Sequence, residues 1–117
     1  MRLALLVVCF PLVASAAAVT APSAAGVGVD LDYVALGDSY ASGTGTRTYY
    51  PDSGSCQRSP LAYPVLWAQA HPSASFFFAA CSGATTDDLL AGQLGRLSAD
   101  TDLVTVSIGG NDAGFGQ

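Results

Sequence analysis

Three short apolar segments, each closed by a turn and separated by stretches of helical character, set the architecture of this chain. Asp32-Tyr33-Val34-Ala35-Leu36 runs into Gly37. Ala74 to Ala79 carries Phe76, Phe77 and Phe78, and Asp102 to Ile108 runs into Gly109-Gly110. Runs of this length and composition predict strands that are apolar on both faces. Between the first two, Tyr63 to Ala70 predicts a helix. Pro64 suits its first turn, where no amide hydrogen is needed, and His71-Pro72 ends it. Between the second and third, Thr86 predicts the cap of a short helix. Asp87 and Asp88 then fall in its first turn, where the helix dipole favours acids, and Leu89, Leu90 and Leu94 form its buried side. Residues 42–59, dense in Gly, Ser, Thr and Asp, predict a long loop, and Cys81 to Thr85 a turn. Strand–helix–strand–helix–strand order predicts right-handed crossovers. It gives an α/β fold, a three-layer α/β/α sandwich with a parallel sheet.

The first eighteen residues stand apart from that pattern. Arg2 precedes an apolar core, Leu3 to Val13, that is too short for a good membrane span. Ala14-Ser15-Ala16 and Ala16-Ala17-Ala18 are both small-x-small cleavage patterns. Residues 1–18 are read as a secretory signal peptide, cut after Ala16 or Ala18, rather than as a retained anchor. Residues 19–29 are a flexible tether, and residues 30–117 a domain of a secreted, extracellular protein. Removing the leader takes Cys9 with it and leaves Cys56 and Cys81 in an oxidising compartment. A Cys56–Cys81 disulfide would close a loop of about 26 residues, for about 3–4 kcal/mol. Free thiols or a metal pair are the weaker readings. There is no Cys-x-x-Cys, and the single histidine, His71, is too few for zinc, so no metal is expected.

Composition removes further classes. Half the residues are apolar, which excludes a disordered chain. Lys and Arg number 4 against 9 acids, for a net charge of −5. Nucleic-acid binding needs a basic stripe to neutralise phosphates, so no nucleic-acid partner is expected.

In an open parallel sheet the site lies outside the carboxyl ends of the strands. Three segments fall there: Gly37-Asp38-Ser39-Tyr40, Cys81-Ser82-Gly83-Ala84 and Gly109-Gly110-Asn111-Asp112. Together they hold what acyl transfer needs. Ser39 is a hydroxyl nucleophile on a tight turn. Gly83 offers a backbone N–H where a side chain would obstruct a substrate, and Asn111 is an amide donor. Donors aimed at an oxyanion are worth about 10²–10³ in rate each. Each residue also has a plainer reading: Ser39 as a helix cap, Gly83 as a turn glycine, Asn111-Asp112 as a polar turn. The three segments in order outweigh those readings. Trp67 and Phe76 to Phe78 are read as core. A binding module is the rival class. However, Gly43 and Gly45 lack the lysine of a phosphate loop and the third glycine of a dinucleotide fingerprint, and Asp30-Leu31-Asp32 lacks the rest of a calcium loop.

On these three segments the sequence resembles the SGNH hydrolases of the GDSL lipase/esterase superfamily, above all the secreted actinobacterial members. Gly37-Asp38-Ser39-Tyr40 matches the first block, Gly83 the second and Gly109-Gly110-Asn111-Asp112 the third. The resemblance spans residues 32–116. It implies a flavodoxin-like fold and a serine esterase or lipase. Ser39 would be the nucleophile, with Ser39 N–H, Gly83 N–H and the Asn111 amide as its oxyanion hole. Asp38 would support the nucleophile turn, and Cys56 and Cys81 match positions paired in the relatives. No cofactor is implied. The partner would be a small-molecule ester or lipid, and the full-length protein a monomer. A carbohydrate deacetylase and a non-catalytic binding protein are the alternatives. The family's fourth block, Asp-x-x-His, supplies the general base and is absent from this sequence, since Ala68 stands three residues before His71. The expectation is therefore an N-terminal part, ending after the third strand, inactive alone and with an open apolar strand edge prone to aggregation.

Overall fold

The computed structural model describes residues 30–72 and 74–115. The proposed leader and tether, residues 1–29, lie outside the described residues. Among those described, β1 (Asp32–Gly37), β2 (Ser75–Phe78) and β3 (Leu103–Ser107) form one parallel sheet in the order β2-β1-β3. Tyr33 pairs with Phe76 on one side of β1 and with Leu103 on the other. The central strand is the most buried of the three: Tyr33, Val34, Ala35 and Leu36 are all 3 % exposed or less.

Alternate residues of β1 point to opposite faces of the sheet, and each face meets a different helix. Tyr33 packs against Trp67 of α2 (Tyr63–Ala70), with ring centroids 4.9 Å apart, and stacks on Phe76. Val34 and Leu36 pack against Leu89, with Ala79, Leu94 and Ile108 closing around them. Leu89 belongs to the second helical unit. That unit starts as α3 (Thr86–Asp88), widens into a π-type turn over Leu89–Gln93 and tightens to a 3₁₀ turn at Leu94–Arg96. The chain steps from β1 to β2 in one direction and then crosses β1 to reach β3. Two right-handed crossovers in opposite directions put their helices on opposite faces, which yields the three layers.

Three local expectations change. The cap of α3 is Thr85, not Thr86. Its hydroxyl accepts from the Asp88 N–H, while the Asp88 carboxylate accepts from the Thr85 N–H at 2.9 Å, a reciprocal capping box. Leu90 is 64 % exposed because the π turn rotates it off the core face that Leu89 occupies. The flanking strands are covered less than β1. Phe77 faces Arg96, whose guanidinium carbon lies 4.3 Å from the ring centroid, and Val104 and Val106 are exposed. Only β1 has a neighbour on each edge among the described residues.

Candidate active site

Strand order reverses beside β1, so the crevice of the sheet opens between the carboxyl ends of β1 and β3. The first segment leaves β1 there through Gly37. Its φ is +136°, and a Cβ on it would lie 2.3 Å from the Ser107 carbonyl oxygen, so only glycine fits. The next peptide is pinned on both sides. The Gly37 carbonyl accepts from the Cys81 N–H at 3.0 Å and from Gln93 Nε2 at 2.9 Å, while the Asp38 N–H donates to the Ser107 carbonyl at 2.9 Å. The buried Asp38 then caps α1 (Ser39–Ser42), its carboxylate accepting from the Tyr40 N–H at 3.0 Å. Ser39 is the first residue of that turn and is half-buried. Its carbonyl accepts from the Gly43 and Thr44 N–H groups, but its own N–H reaches no protein acceptor among the described residues.

The second segment follows β2. Cys81 is disulfide-bonded to Cys56, which ties the long loop before α2 to this strand end. The Ser82 N–H reinforces the tie by donating to the Cys56 carbonyl at 3.0 Å, and the Ala84 N–H closes the turn onto the Cys81 carbonyl. Gly83 sits within that turn at φ +83°. Its N–H also reaches no protein acceptor among the described residues. A Cβ there would meet nothing within 4 Å. Its backbone conformation, not crowding, is what favours glycine. A cleft of about 360 Å³ opens at this turn, with Gly83, Asp88 and Gly92 in its wall.

The third segment leaves β3 and clasps the second. The Asn111 amide donates to the Ala84 carbonyl at 2.8 Å, which leaves its other hydrogen free. The Asp112 carboxylate accepts from the Thr86 hydroxyl at 2.6 Å and the Thr86 N–H at 3.1 Å. Those bonds, the hydroxyl first, hold the Asp112 carboxyl below its ordinary value, and the Thr85 N–H and hydroxyl do the same for Asp88. Gly110 brings the third segment alongside the first: a Cβ on it would lie 3.8 Å from the Asp38 carboxylate.

Hydrogen bonds thus link the segments that carry Ser39, Gly83 and Asn111. His71 is not among them. It caps the carboxyl end of α2, four residues before β2 begins, and so lies at the amino ends of the strands. Its Nδ1 pairs with the Trp67 carbonyl at 2.8 Å, and its ring stacks on the Trp67 indole at 3.9 Å. No group of three metal-ligating side chains occurs among the described residues. Sequence reasoning missed Gln93. It sits in an ordinary-looking stretch, Leu89-Leu90-Ala91-Gly92-Gln93, and only the π turn aims it at Gly37.

The chain matches the GDSL-like Lipase/Acylhydrolase family over residues 35–117. It is 63 % identical to "Lipase 1" of Streptomyces coelicolor over 83 residues, covering 71 % of this chain and 31 % of that protein. It is 60 % identical to a Streptomyces rimosus lipase over 84 residues, covering 72 % of this chain and 31 % of the relative. Its fold superimposes on the crystal structure of the extracellular lipase of Streptomyces rimosus with a TM-score of 0.71 at 59 % identity, covering 73 % of this chain and 36 % of the other. The phospholipase A1 of Streptomyces albidoflavus gives a TM-score of 0.70 at 55 % identity, covering 74 % and 37 %. The chain spans about a third of the length of the curated relatives it matches.

Proposed function

Because the chain belongs to the GDSL-like Lipase/Acylhydrolase family, we propose that its three strand-end segments form the acyl-transfer site of a secreted hydrolase for lipid-type carboxylic esters. The relatives are a lipase 1, an extracellular lipase and a phospholipase A1, which is why a lipid ester is the substrate class chosen. The observation that carries the reading is the set of free donors at the sheet's carboxyl edge. The Ser39 N–H, the Gly83 N–H and one Asn111 amide hydrogen have no protein acceptor among the described residues. Unpaired donors on hydrogen-bonded turns are preorganised for charge that develops during a reaction.

In this reading Ser39 Oγ attacks the ester carbonyl carbon. The carbonyl π electrons move to oxygen, and the three donors hold the resulting oxyanion. Its collapse breaks the bond to the alkoxy oxygen, which takes up the proton lost from Ser39 Oγ and leaves as the alcohol. The acyl-Ser39 ester that remains is cleaved by water by the same route. Asp38 fixes the direction of attack by holding the first turn of α1. Moving the Ser39 proton needs a base, and His71 stands at the opposite end of the strands. The 117 residues alone are therefore slow, by about the 10²–10⁴ that a positioned base contributes. Residues 1–18 direct export as a signal peptide, residues 19–29 act as a tether and residues 30–117 belong to the hydrolase domain.

The test uses the polypeptide its gene encodes, beside residues 19–117 alone. The former hydrolyses p-nitrophenyl esters and takes one fluorophosphonate label at Ser39, and Ser39→Ala removes both. Ser39→Ala protein that still hydrolyses the ester would overturn the nucleophile assignment. Vigorous hydrolysis by residues 19–117 would overturn the need for an outside base.

A further inference from the structure

The side chain of Gln93 is buried, 7 % exposed, and makes both of its hydrogen bonds to a single residue. Gln93 Oε1 accepts from the Gly37 N–H at 2.7 Å, and Gln93 Nε2 donates to the Gly37 carbonyl at 2.9 Å. A backbone N–H only donates and a carbonyl only accepts, so this double pairing also fixes which way the amide faces. The two residues are 56 apart in sequence, and both bonds are buried. Gly37 is where β1 gives way to the nucleophile turn. With the Cys81 and Ser107 bonds, Gln93 leaves none of the Gly37 backbone polar groups, nor the following N–H, free to rotate.

Resting on the reading above, we infer that Gln93 is a positioning residue for Ser39. The π turn delivers an amide that mimics a neighbouring strand, clamps Gly37 and so sets the peptide from which the nucleophile projects. A regular α-helix over Leu89–Gln93 would carry one residue fewer per turn at this point and rotate Gln93 away from the sheet end. This accounts for the wide turn in the wall of the candidate site. It also accounts for a long polar side chain in the layer that otherwise holds Leu89, Val34 and Leu36. Misplacing a reacting group by about 1 Å costs about 10²-fold in rate, so a clamp at this position acts on turnover rather than on substrate affinity.

The experiment compares Gln93→Glu and Gln93→Met with the unsubstituted polypeptide its gene encodes, and with Val65→Ala. Gln93→Glu has the same shape and keeps an acceptor for the Gly37 N–H but loses the donor to the Gly37 carbonyl. Val65→Ala removes a buried side chain of α2, which packs on the Tyr33 face of the sheet rather than the Val34 and Leu36 face that meets Leu89, and serves as the stability control. All are assayed with p-nitrophenyl esters well below their melting temperatures, with folding checked by tryptophan fluorescence. The expected result is a kcat at least tenfold lower in both Gln93 variants, KM within about twofold, and Val65→Ala near the unsubstituted kcat despite its lower Tm. Folded Gln93→Glu with kcat within twofold of the unsubstituted protein would refute the inference. So would a kcat loss that tracks Tm equally in Val65→Ala. If the unsubstituted protein turns over no ester, the hydrolase reading itself fails, and the Gln93 assignment with it.

Discussion

Replacing Gly37 with alanine separates two reasons for a glycine at the end of β1. The backbone there is at φ +136°, which costs an L-residue about 1–2 kcal/mol. The added methyl would also sit 2.3 Å from the Ser107 carbonyl oxygen and 2.9 Å from Ala41 Cβ. The Ser107 oxygen is backbone of the paired strand and already accepts from the Asp38 N–H, so it cannot swing aside. Relieving that contact parts β1 from β3 and adds about 1–3 kcal/mol of overpacking cost. The total, about 2–5 kcal/mol, reaches at its upper end what holds a small domain together. Gly45 is the matched control: its φ is +97°, and a Cβ there meets nothing within 4 Å. It bears the conformational cost alone. Urea unfolding of the full chain can be followed through Trp67, the single tryptophan, packed between Tyr33 and His71. The midpoint of Gly37→Ala is expected to fall by about 2 M, or the protein not to fold, against less than about 1 M for Gly45→Ala. Equal shifts for the two would show that close approach of β1 and β3 is not what requires Gly37.

Two further outcomes follow from the site. Replacing both Cys56 and Cys81 by serine lowers unfolding stability by about 3–4 kcal/mol, because the open chain regains the freedom of a loop of about 26 residues; an unchanged urea midpoint would contradict this. The Asp112 carboxyl titrates below its ordinary 3.8 when folded, so its ionised form is bound more tightly in the native state. That contribution is complete above pH 3.8 and lost as pH falls through the lower, folded value. The midpoint difference between the unsubstituted chain and Asp112→Asn is thus expected to be constant from pH 5 to 7 and to shrink below about pH 3.8. A difference that grows on acidification would reverse the sign of this argument.

Much of the fold was legible because its signals are local. Apolar runs of strand length, Pro64 at a first turn and glycine at the ends of β1 and β3 depend on neighbours a few residues away. They put β1, α2, β2 and β3 close to where they lie. The reading failed where the deciding contact was distant. Thr86 looked like a cap, yet its N–H and hydroxyl are taken by Asp112, 26 residues on, and Thr85 holds the capping box instead. Leu90 looked like core, yet a π turn that no spacing rule anticipates faces it to solvent.

The candidate site divides in the same way. The sequence alone determined which residues stand at the three strand ends, since residue type and order at a strand end need no knowledge of what lies opposite. It placed Asp38, Ser39, Cys81, Gly83 and Asn111 on that edge. Tertiary structure decided what holds them. The Asn111 amide seats on the Ala84 carbonyl, Gly37 fits beneath the Ser107 oxygen, and Gln93 reaches 56 residues back to grip Gly37 by both polar groups. Hydrogen bonds between segments so far apart depend on the packed position of whole strands and helices. No periodicity in the chain encodes that position until the sheet has formed.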